Sequence, residues 1–291
     1  MRACFDSTRC TDAELAPSCP ACSGVQSRIA TRKGDAIPAV TALQRIGRAA
    51  ARYFLPSRCL ACEIRSVEEV FRGGVCSSCW RAVPKAAGPA CPVCGEPLAA
   101  EGAERCGRCL LHPPSFRSLR AAAPYRGSAR SILLAFKFRG ADYLGARLAE
   151  VIVERLSPDD TIVPCEVTAV PATPLSVRRR GYHPAELLAE AVAAKLRIPF
   201  SPRRLRKIRE TSRQSRLALE HRRSNVEGAF RAEGPSRKRV LLVDDVATSA
   251  WTARECAEAL RAAGAEQVDV WCFARASRDD FDRDERSADS G

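Results

Sequence analysis

The sequence predicts an α/β protein with a parallel sheet and flanking helices, preceded by a small cysteine-rich module. The apolar run Val240–Val243 has the length and β-branched content of a buried parallel strand. The alanine- and leucine-rich run Ala253–Ala263 predicts a helix, which Gly264 ends. Nearer the N-terminus, cysteines recur in close pairs between residues 59 and 109, a pattern typical of metal-binding modules.

Length and composition agree with this organisation. The chain has 291 residues, of which 46% are hydrophobic, so there is room for one α/β domain and something smaller. Its formal net charge is +13, and eight thiolates around two Zn²⁺ ions would subtract about four charges. The remaining positive charge suits phosphates or nucleic acid, although a solvated arginine surface is the alternative. Without a membrane-length apolar run or a signal-peptide core, we expect a cytoplasmic protein with no membrane insertion.

The two ends of the chain do not look like domains. Residues 1–55 lack a sustained period, and we expect an extension or disorder. The pair Cys19 and Cys22 leaves open a third zinc site there. Met1 is the only methionine, so a true start further along also stays open. The polar tail 277–291 is expected to be disordered.

Four CxxC pairs form the strongest pattern, with intervening gaps of 13, 11 and 11 residues. Each pair can place two thiolates on one metal, and two pairs complete a tetrahedral site with no open position for catalysis. Disulfides are disfavoured in a chain without an export signal, so we expect two structural zinc ions. Sequential pairing of the CxxC pairs is favoured, but an interleaved arrangement stays open. The ligands are Cys59, Cys62, Cys76, Cys79, Cys91, Cys94, Cys106 and Cys109.

From Phe116 onward the pattern changes to that of a second domain, which we expect to have a core separate from the cysteine module. Residues 131–138 form a short apolar helix or strand, and Tyr143–Leu156 is an amphipathic helix. Strand-like runs follow at Thr161–Pro164 and Val167–Val170.

The strand Val240–Val243 leads into a candidate ligand site. Two carboxylates, Asp244 and Asp245, follow it directly, and Thr248, Ser249 and Thr252 then lead into the next helix. We call residues Thr248–Thr252 the hydroxyl loop. Ligands of open α/β sheets bind at the carboxyl ends of strands, where a helix N-terminus presents N–H groups to an anion. The pattern therefore predicts a phosphorylated-sugar site, and a capped helix after solvated aspartates is the alternative.

Two basic segments are further anion-binding candidates. Arg178–Arg180 and Gly181 precede a predicted helix, Ala185–Leu196, although a basic surface turn is an alternative. Residues 203–239 hold thirteen Arg and Lys against four Glu. This segment predicts a long mobile loop with a short helix, able to close over an anionic ligand or to bind nucleic acid.

Over residues 56–276 the sequence resembles the ComF family, a competence-associated group with a zinc-ribbon N-terminus and a type I phosphoribosyltransferase-like domain. The resemblance implies a double zinc ribbon at residues 56–113 and the transferase-like domain, a parallel sheet with a hood, at residues 116–276. It rests on the four CxxC pairs, Phe136–Gly140, Arg180–Tyr182, the series Thr211, Gln214, Leu217, Arg222 and Asn225, and Asp244-Asp245.

The resemblance also implies roles for single residues. Asp244 and Asp245 would lie on the ribose hydroxyls of phosphoribosyl pyrophosphate as the catalytic pair, beside Mg²⁺. The hydroxyl loop, including Ala250 and Trp251, would hold the 5′-phosphate, with Arg180 and Gly181 near the pyrophosphate. Lys137, in the Phe136–Gly140 motif, is grouped with the ligand-binding residues. The implied context is DNA uptake, with a competence helicase and single-stranded DNA as partners.

The sequence departs from the family pattern at two places. The family loop has the sequence Thr-Thr-Gly-x-Thr, but Ser249-Ala250-Trp251 occupies its centre here. If position 250 is left-handed, alanine costs about 1–2 kcal/mol there, which weakens binding without abolishing it. His183 replaces the usual asparagine.

Three functions remain open: a phosphoribosyltransferase, a non-catalytic ribose-phosphate binding module, or a DNA-uptake adaptor. The third uses the ribbons and the basic loop, but an aromatic content of 6% provides few stacking platforms for single-stranded DNA.

Overall fold

The computed structural model describes residues 58–64, 74–98, 104–156, 164–209 and 225–277, all of which belong to one compact unit, Leu55–Gly291. The predictions for residues 1–55, for the strand residues 161–163 and for the tail beyond residue 277 lie outside these ranges. So does the motif series from Thr211 to Arg222. None of the helices in the described residues has the length and apolar composition needed to cross a membrane.

The elements of the described residues alternate between helices and strands after a short helical start. The helices are α1 Ser77–Arg81, α2 Gly107–Leu111, α3 Gly127–Phe138, α4 Gly145–Leu156, α5 Pro174–Arg180, α6 Pro184–Leu196 and α7 Trp251–Ala262. The strands are β1 Ser118–Pro124, β2 Glu166–Ala169, β3 Leu205–Lys207, β4 Phe230–Ala232, β5 Arg239–Ala247 and β6 Gln267–Arg275.

Four strands form a parallel sheet in the order β1-β6-β5-β2, which confirms the predicted fold class. In the register, Leu242 of β5 lies opposite Val270 of β6 and Thr168 of β2, and all three are fully buried. Helices cover both faces, so the central strands are apolar over most of their length. The order β1-β6-β5-β2 makes β5 an interior strand whose carboxyl end is flanked by neighbours on both sides.

Strand β5 is longer than predicted. It continues through Asp244 and Asp245 to Ala247, which pairs with Arg275 of β6. The apolar run ends at Val243, but backbone pairing with a parallel neighbour does not require an apolar side chain. The acid pair therefore lies near the end of the paired part of β5 rather than after the strand.

The structure refines three predictions of secondary structure. The apolar segment around Ile132 is the helix α3, which settles the choice between helix and strand. The amphipathic segment is split into a short 3₁₀ turn, Asp142–Leu144, and α4, whose buried stripe includes Leu148, Ile152 and Leu156. The predicted strand Val167–Val170 is β2.

The arginine triplet does not form a surface turn, because Arg178–Arg180 are the last residues of the helix α5. Thr173 caps this helix by accepting a hydrogen bond from the Ser176 N–H at 3.2 Å, and Pro174 follows as its first residue. Gly181 then ends it in a left-handed conformation, with φ of 80°.

The 203–239 segment is not loop throughout. Strands β3 and β4 form an antiparallel hairpin near its ends, with Leu205 and Phe230 buried. The high arginine content made these strands hard to predict. A three-residue strand can be held by one buried side chain, so it does not need the apolar run that marks a longer strand. Residues 210–224 lie outside the described ranges.

The prediction of separate cores is wrong. We call residues 58–64 and 74–84 the first ribbon, and residues 89–98 and 104–112 the second ribbon. One core cluster joins Cys59 and Cys76 of the first ribbon to Phe136 of α3, and another joins Cys91 and Cys109 of the second ribbon to the sheet. A ribbon of this size is too small to bury its own apolar side chains, so it shares the core of the larger domain.

Candidate functional site

The eight ribbon cysteines form two tetrads, pairing the first CxxC with the second and the third with the fourth. Within each tetrad all sulfur atoms lie within 4.8 Å of one another. The Cys59 and Cys79 Sγ atoms are 3.8 Å apart, and those of Cys94 and Cys106 are 3.5 Å apart. Tetrahedral zinc with Zn–S bonds of about 2.3 Å requires sulfur–sulfur distances of about 3.8 Å. Both tetrads fit zinc, in the sequential pairing that the sequence favoured.

Each tetrad also holds one thiol with a strongly lowered pKa. A hydrogen bond from Cys109 is the main cause that lowers the pKa of Cys94 to about 4. Burial raises the pKa of Cys59, but backbone hydrogen bonds, first from Cys76, overcome it and lower the value to about 6. The pKa values of their partners Cys79 and Cys109 are raised. A thiolate beside protonated neighbours is a starting point for metal binding, which displaces the remaining protons.

The acid pair on β5 meets a lysine from α3. The Lys137 ammonium lies 2.9 Å from the Asp245 carboxylate, and both side chains are largely buried. Burial opposes the charge on Lys137, but Asp245 overcomes it and raises the pKa of the lysine. Burial, reinforced by Asp245, raises the pKa of Asp244 to about 8. The site therefore holds one ionised carboxylate neutralised by a lysine, and one carboxyl that can carry a proton near neutral pH.

The hydroxyl loop connects this acid pair to the start of α7. Ala250 is left-handed, with φ of 61°, and is the cap residue of α7. This conformation is the one in which glycine is favoured and alanine is strained. The Ser249 side chain is buried, and its hydroxyl has no hydrogen-bond partner among the described residues. The loop therefore holds a strained alanine next to a polar group that lacks a partner.

The Trp251 indole is directed at the second ribbon. Its ring lies 5.6 Å from the His112 ring, and the Arg254 guanidinium lies 5.0 Å from its centre. The aromatic residue in the loop is thus part of a contact between α7 and the ribbon.

The Arg180-Gly181-Tyr182 motif packs on the end of α3. The Arg180 guanidinium lies 4.9 Å from the Phe138 ring, and the Tyr182 hydroxyl donates to the Phe136 carbonyl. The motif thus contacts Phe136 and Phe138, the two residues that flank Lys137 in the chain. Arg178 and Arg179 are exposed on α5. His183 accepts or donates a 2.9 Å hydrogen bond with Glu186 in the first turn of α6.

Sequence reasoning missed three arginines that contact the hydroxyl loop or the ribbon behind it: Arg108, Arg254 and Arg275. Arg254 and Arg275 are only 5% exposed. A signal was present, because Arg275 ends the apolar strand β6 and buried arginines need several acceptors. Each of them also makes a contact between the second ribbon and the sheet domain that joins residues more than 100 positions apart, so no local pattern identified them.

Known families match both parts of the chain. A model described as the double zinc ribbon domain matches residues 50–110, and a phosphoribosyl transferase domain model matches residues 175–288. The chain is 16% identical to adenine phosphoribosyltransferase from Leishmania tarentolae, with a TM-score of 0.30 over 50% of this chain and 76% of that one. This TM-score is too low to support a conclusion about the chain.

Two relatives match this chain over nearly the whole of their own length. The chain is 32% identical over 227 residues to the DNA utilization protein YhgH of Salmonella typhimurium, covering 76% of this chain and 98% of that protein. It is 30% identical over 237 residues to Competence protein F of Haemophilus influenzae, covering 77% of this chain and 99% of that protein. Together with the paired cysteine tetrads and the parallel sheet, these identities over nearly the whole of both relatives show that the chain belongs to the ComF family.

Proposed function

We propose that this protein binds phosphoribosyl pyrophosphate, or a related ribose phosphate, and acts in DNA uptake. The observation that carries the proposal is the meeting of three features at the carboxyl end of β5. They are the acid pair with its lysine partner, a hydroxyl loop with a left-handed residue, and the N-terminus of α7. A phosphorylated sugar offers hydroxyl groups to the acids and an anion to the loop and helix start.

The hydroxyl of Ser249 supports the anion half of the site. Buried polar groups are nearly always hydrogen-bonded, and a buried hydroxyl without a partner costs about 1–3 kcal/mol. A phosphate oxygen accepts a hydrogen bond from such a donor. Ligand binding would therefore satisfy a group that has no partner in the described part of the chain.

The acid pair supports the sugar half. The Asp245 carboxylate can accept hydrogen bonds from ribose hydroxyls while Lys137 neutralises its charge, and Asp244 provides a second carboxyl next to it. Carboxylate oxygens are also the hard ligands that Mg²⁺ prefers, so the donor set fits this ion. Bound Mg²⁺ would neutralise charge on the ligand's pyrophosphate.

Phosphoribosyl transfer is compatible with this site. In that reaction a nucleophile forms a bond to C1 of the ribose while the bond to pyrophosphate breaks. Asp244 and Asp245 would position the sugar, and Arg180 would stabilise the departing charge. The strained conformation of Ala250 affects the affinity of the loop for its ligand. Binding without turnover is the alternative that this loop favours.

A role with DNA draws on the charge of the chain and on its relatives. The formal net charge is +13, and Arg178 and Arg179 are exposed on α5. The relatives are named for DNA utilization and competence. We propose that any contact with single-stranded DNA is electrostatic and weak, and that a helicase is the protein partner.

Calorimetric titration with phosphoribosyl pyrophosphate and Mg²⁺ tests the ligand. We expect binding by the natural protein and a loss of tenfold or more in affinity for Asp245→Asn, because a charged hydrogen-bond acceptor is removed. Asp269→Asn is the matched control, since Asp269 lies near the amino end of β6 and pairs with Arg117. No binding by the natural protein, or equal loss in both variants, would contradict the proposal.

Salt dependence tests the DNA contact. If arginine–phosphate contacts dominate, affinity for single-stranded DNA falls steeply between low and moderate salt. Affinity that stays flat over that range rules out the electrostatic account.

A further inference from the structure

The second ribbon contacts the backbone of the hydroxyl loop. Arg108, on α2 between two ligands of the second tetrad, donates to the Ser249 carbonyl at 3.2 Å. Its guanidinium also lies 3.8 Å from the Glu96 carboxylate, in the same ribbon. The ribbon thus fixes the orientation of one peptide in the middle of the loop.

Arg275 fixes the orientation of the two peptide groups that come before this one in the chain. This buried side chain donates to the carbonyls of Ala247 (3.2 Å) and Thr248. It reaches the second ribbon at the same time, through the Cys94 carbonyl at 3.1 Å and the Glu96 carboxylate at 2.5 Å. One guanidinium therefore joins the entry of the loop to the residue that carries a metal-binding sulfur.

Arg254 makes a third connection, from the first turn of α7. It donates to the Cys109 sulfur at 3.3 Å and to the His112 carbonyl, and it lies over the Trp251 ring. A sulfur that is bound to zinc keeps its negative charge, so the metal-loaded tetrad offers this buried cation a permanent partner.

These contacts have a geometric consequence for the loop. In a trans peptide, the carbonyl of one residue and the N–H of the next point in opposite directions. The three carbonyls of Ala247, Thr248 and Ser249 are directed at arginines on the side of the ribbon. The following N–H groups, from Thr248 to Ala250, therefore point away from the ribbon. Successive N–H groups on one side form the kind of cradle that binds an anion.

The first ribbon makes contacts of a different kind. Its backbone carbonyls accept hydrogen bonds from Arg139, after α3, and from Arg155 on α4. Its described contacts are thus with helices rather than with the hydroxyl loop.

We infer that the second zinc site holds the hydroxyl loop in its anion-binding conformation, with Arg108 and Arg275 as positioning residues. The inference deepens the proposed function, since it assigns the ribbon a part in the same ribose-phosphate site. Loss of either arginine contact, or of the metal from this tetrad, loosens the loop and weakens ligand binding.

The test is amide hydrogen exchange of residues 247–252 in the zinc-loaded protein without ligand. Arg108→Gln removes one contact, and Arg105→Gln is its matched control, because Arg105 is an exposed arginine of the same ribbon. We expect exchange in the loop to be about tenfold faster in Arg108→Gln and unchanged in Arg105→Gln. Amides of β5 and β6 before the loop serve as the reference for global unfolding.

A second variant, Arg275→Lys, keeps the test valid if Arg108→Gln misfolds. Arg275→Lys keeps the charge, but one ammonium cannot reach the set of acceptors that the planar guanidinium contacts, so we expect an intermediate rise in exchange. Loop exchange that is unchanged in both Arg108→Gln and Arg275→Lys overturns the inference.

Titration of the same variants with phosphoribosyl pyrophosphate and Mg²⁺ separates the two proposals. We expect about tenfold weaker binding for Arg108→Gln. Faster loop exchange in the variants, with no binding by any protein including the natural one, upholds the role of the ribbon and refutes the ligand. Faster loop exchange with unchanged affinity refutes the part of the ribbon in binding.

Discussion

The two ribbons have the same ligand set and nearly the same spacing, but they lie on different parts of the domain. The first ribbon packs on α3 and α4, where Arg139 binds its Leu60 carbonyl and Glu63. The second ribbon packs on the carboxyl end of the sheet, where Arg108 and Arg275 hold the hydroxyl loop. The same set of cysteine ligands therefore lies against a helical face in one ribbon and against the hydroxyl loop in the other. The structural role of each metal site depends on the element that its ribbon packs against.

The largest effect is expected from removing a metal ligand. Because the second ribbon shares its core with the sheet, Cys91→Ser should lower the free energy of unfolding of the whole protein by about 3 kcal/mol or more. Thermal unfolding followed by circular dichroism, together with metal analysis, checks this expectation. We expect about two zinc ions in the natural protein and about one in the variant.

Cys165→Ser is the control for that experiment, since Cys165 lies outside both tetrads. An unchanged melting temperature in Cys91→Ser, with zinc lost, would mean that the ribbon and the sheet have independent cores after all. A folded natural protein without zinc would contradict the metal assignment itself.

The next effect concerns the strained residue of the loop. Ala250→Gly should strengthen ribose-phosphate binding about tenfold, because glycine adopts φ of 61° without the cost that alanine incurs. Arg197→Gly is a matched control: Arg197 is also left-handed, with φ of 57°, but it caps α6 away from the loop. Titration should show tighter binding in the first variant only, and equal affinities would mean that strain at position 250 does not limit binding.

A smaller effect separates the two ribbons through the tryptophan at each ribbon's contact with the larger domain. Trp251 contacts His112 of the second ribbon, and Trp80 of the first ribbon lies 5.8 Å from the Arg147 guanidinium on α4. Trp251→Ala should weaken ligand binding about threefold, since it removes a contact between the ribbon and α7. Trp80→Ala should leave affinity unchanged. Tighter binding by Trp251→Ala would show instead that the indole obstructs the anion.

The last effect is on stability rather than affinity, and it is a pH dependence. The pKa of Asp244 is raised from 3.8 to about 8, so between these values the folded protein binds more protons than the unfolded chain. Its stability therefore falls as pH rises through this window. Asp244→Asn lacks this carboxyl and should be more stable than the natural protein by about 1 kcal/mol at pH 8, with no difference near pH 4. Denaturant unfolding at both pH values measures it, and a constant difference would argue against the raised pKa.

Local patterns were enough to predict the parallel strand β5, most of α7 and the two cysteine tetrads. Val240–Val243 and Ala253–Ala263 carry their own periodicity, and each CxxC pair is a self-contained knuckle. The left-handed conformation at position 250 was also a conditional expectation, because the resemblance placed glycine there.

The contacts behind the loop were not predictable in the same way. Arg108 and Ser249 are 141 residues apart, and Arg275 and Cys94 are 181 apart. Contacts over such separations depend on how the ribbon docks on the sheet, which no residue in either segment specifies alone. The separate-core prediction failed for the same reason.

Removing one metal ligand from each ribbon and following the hydroxyl loop shows directly whether the second ribbon holds this loop. Cys62 and Cys106 are a matched pair, since each is a half-buried ligand of its tetrad. Hydrogen exchange of residues 247–252, measured relative to β5 and β6, should rise about tenfold in Cys106→Ser and stay unchanged in Cys62→Ser. Equal loop exchange in the two variants would contradict the inference that the second ribbon, and not the first, holds the hydroxyl loop.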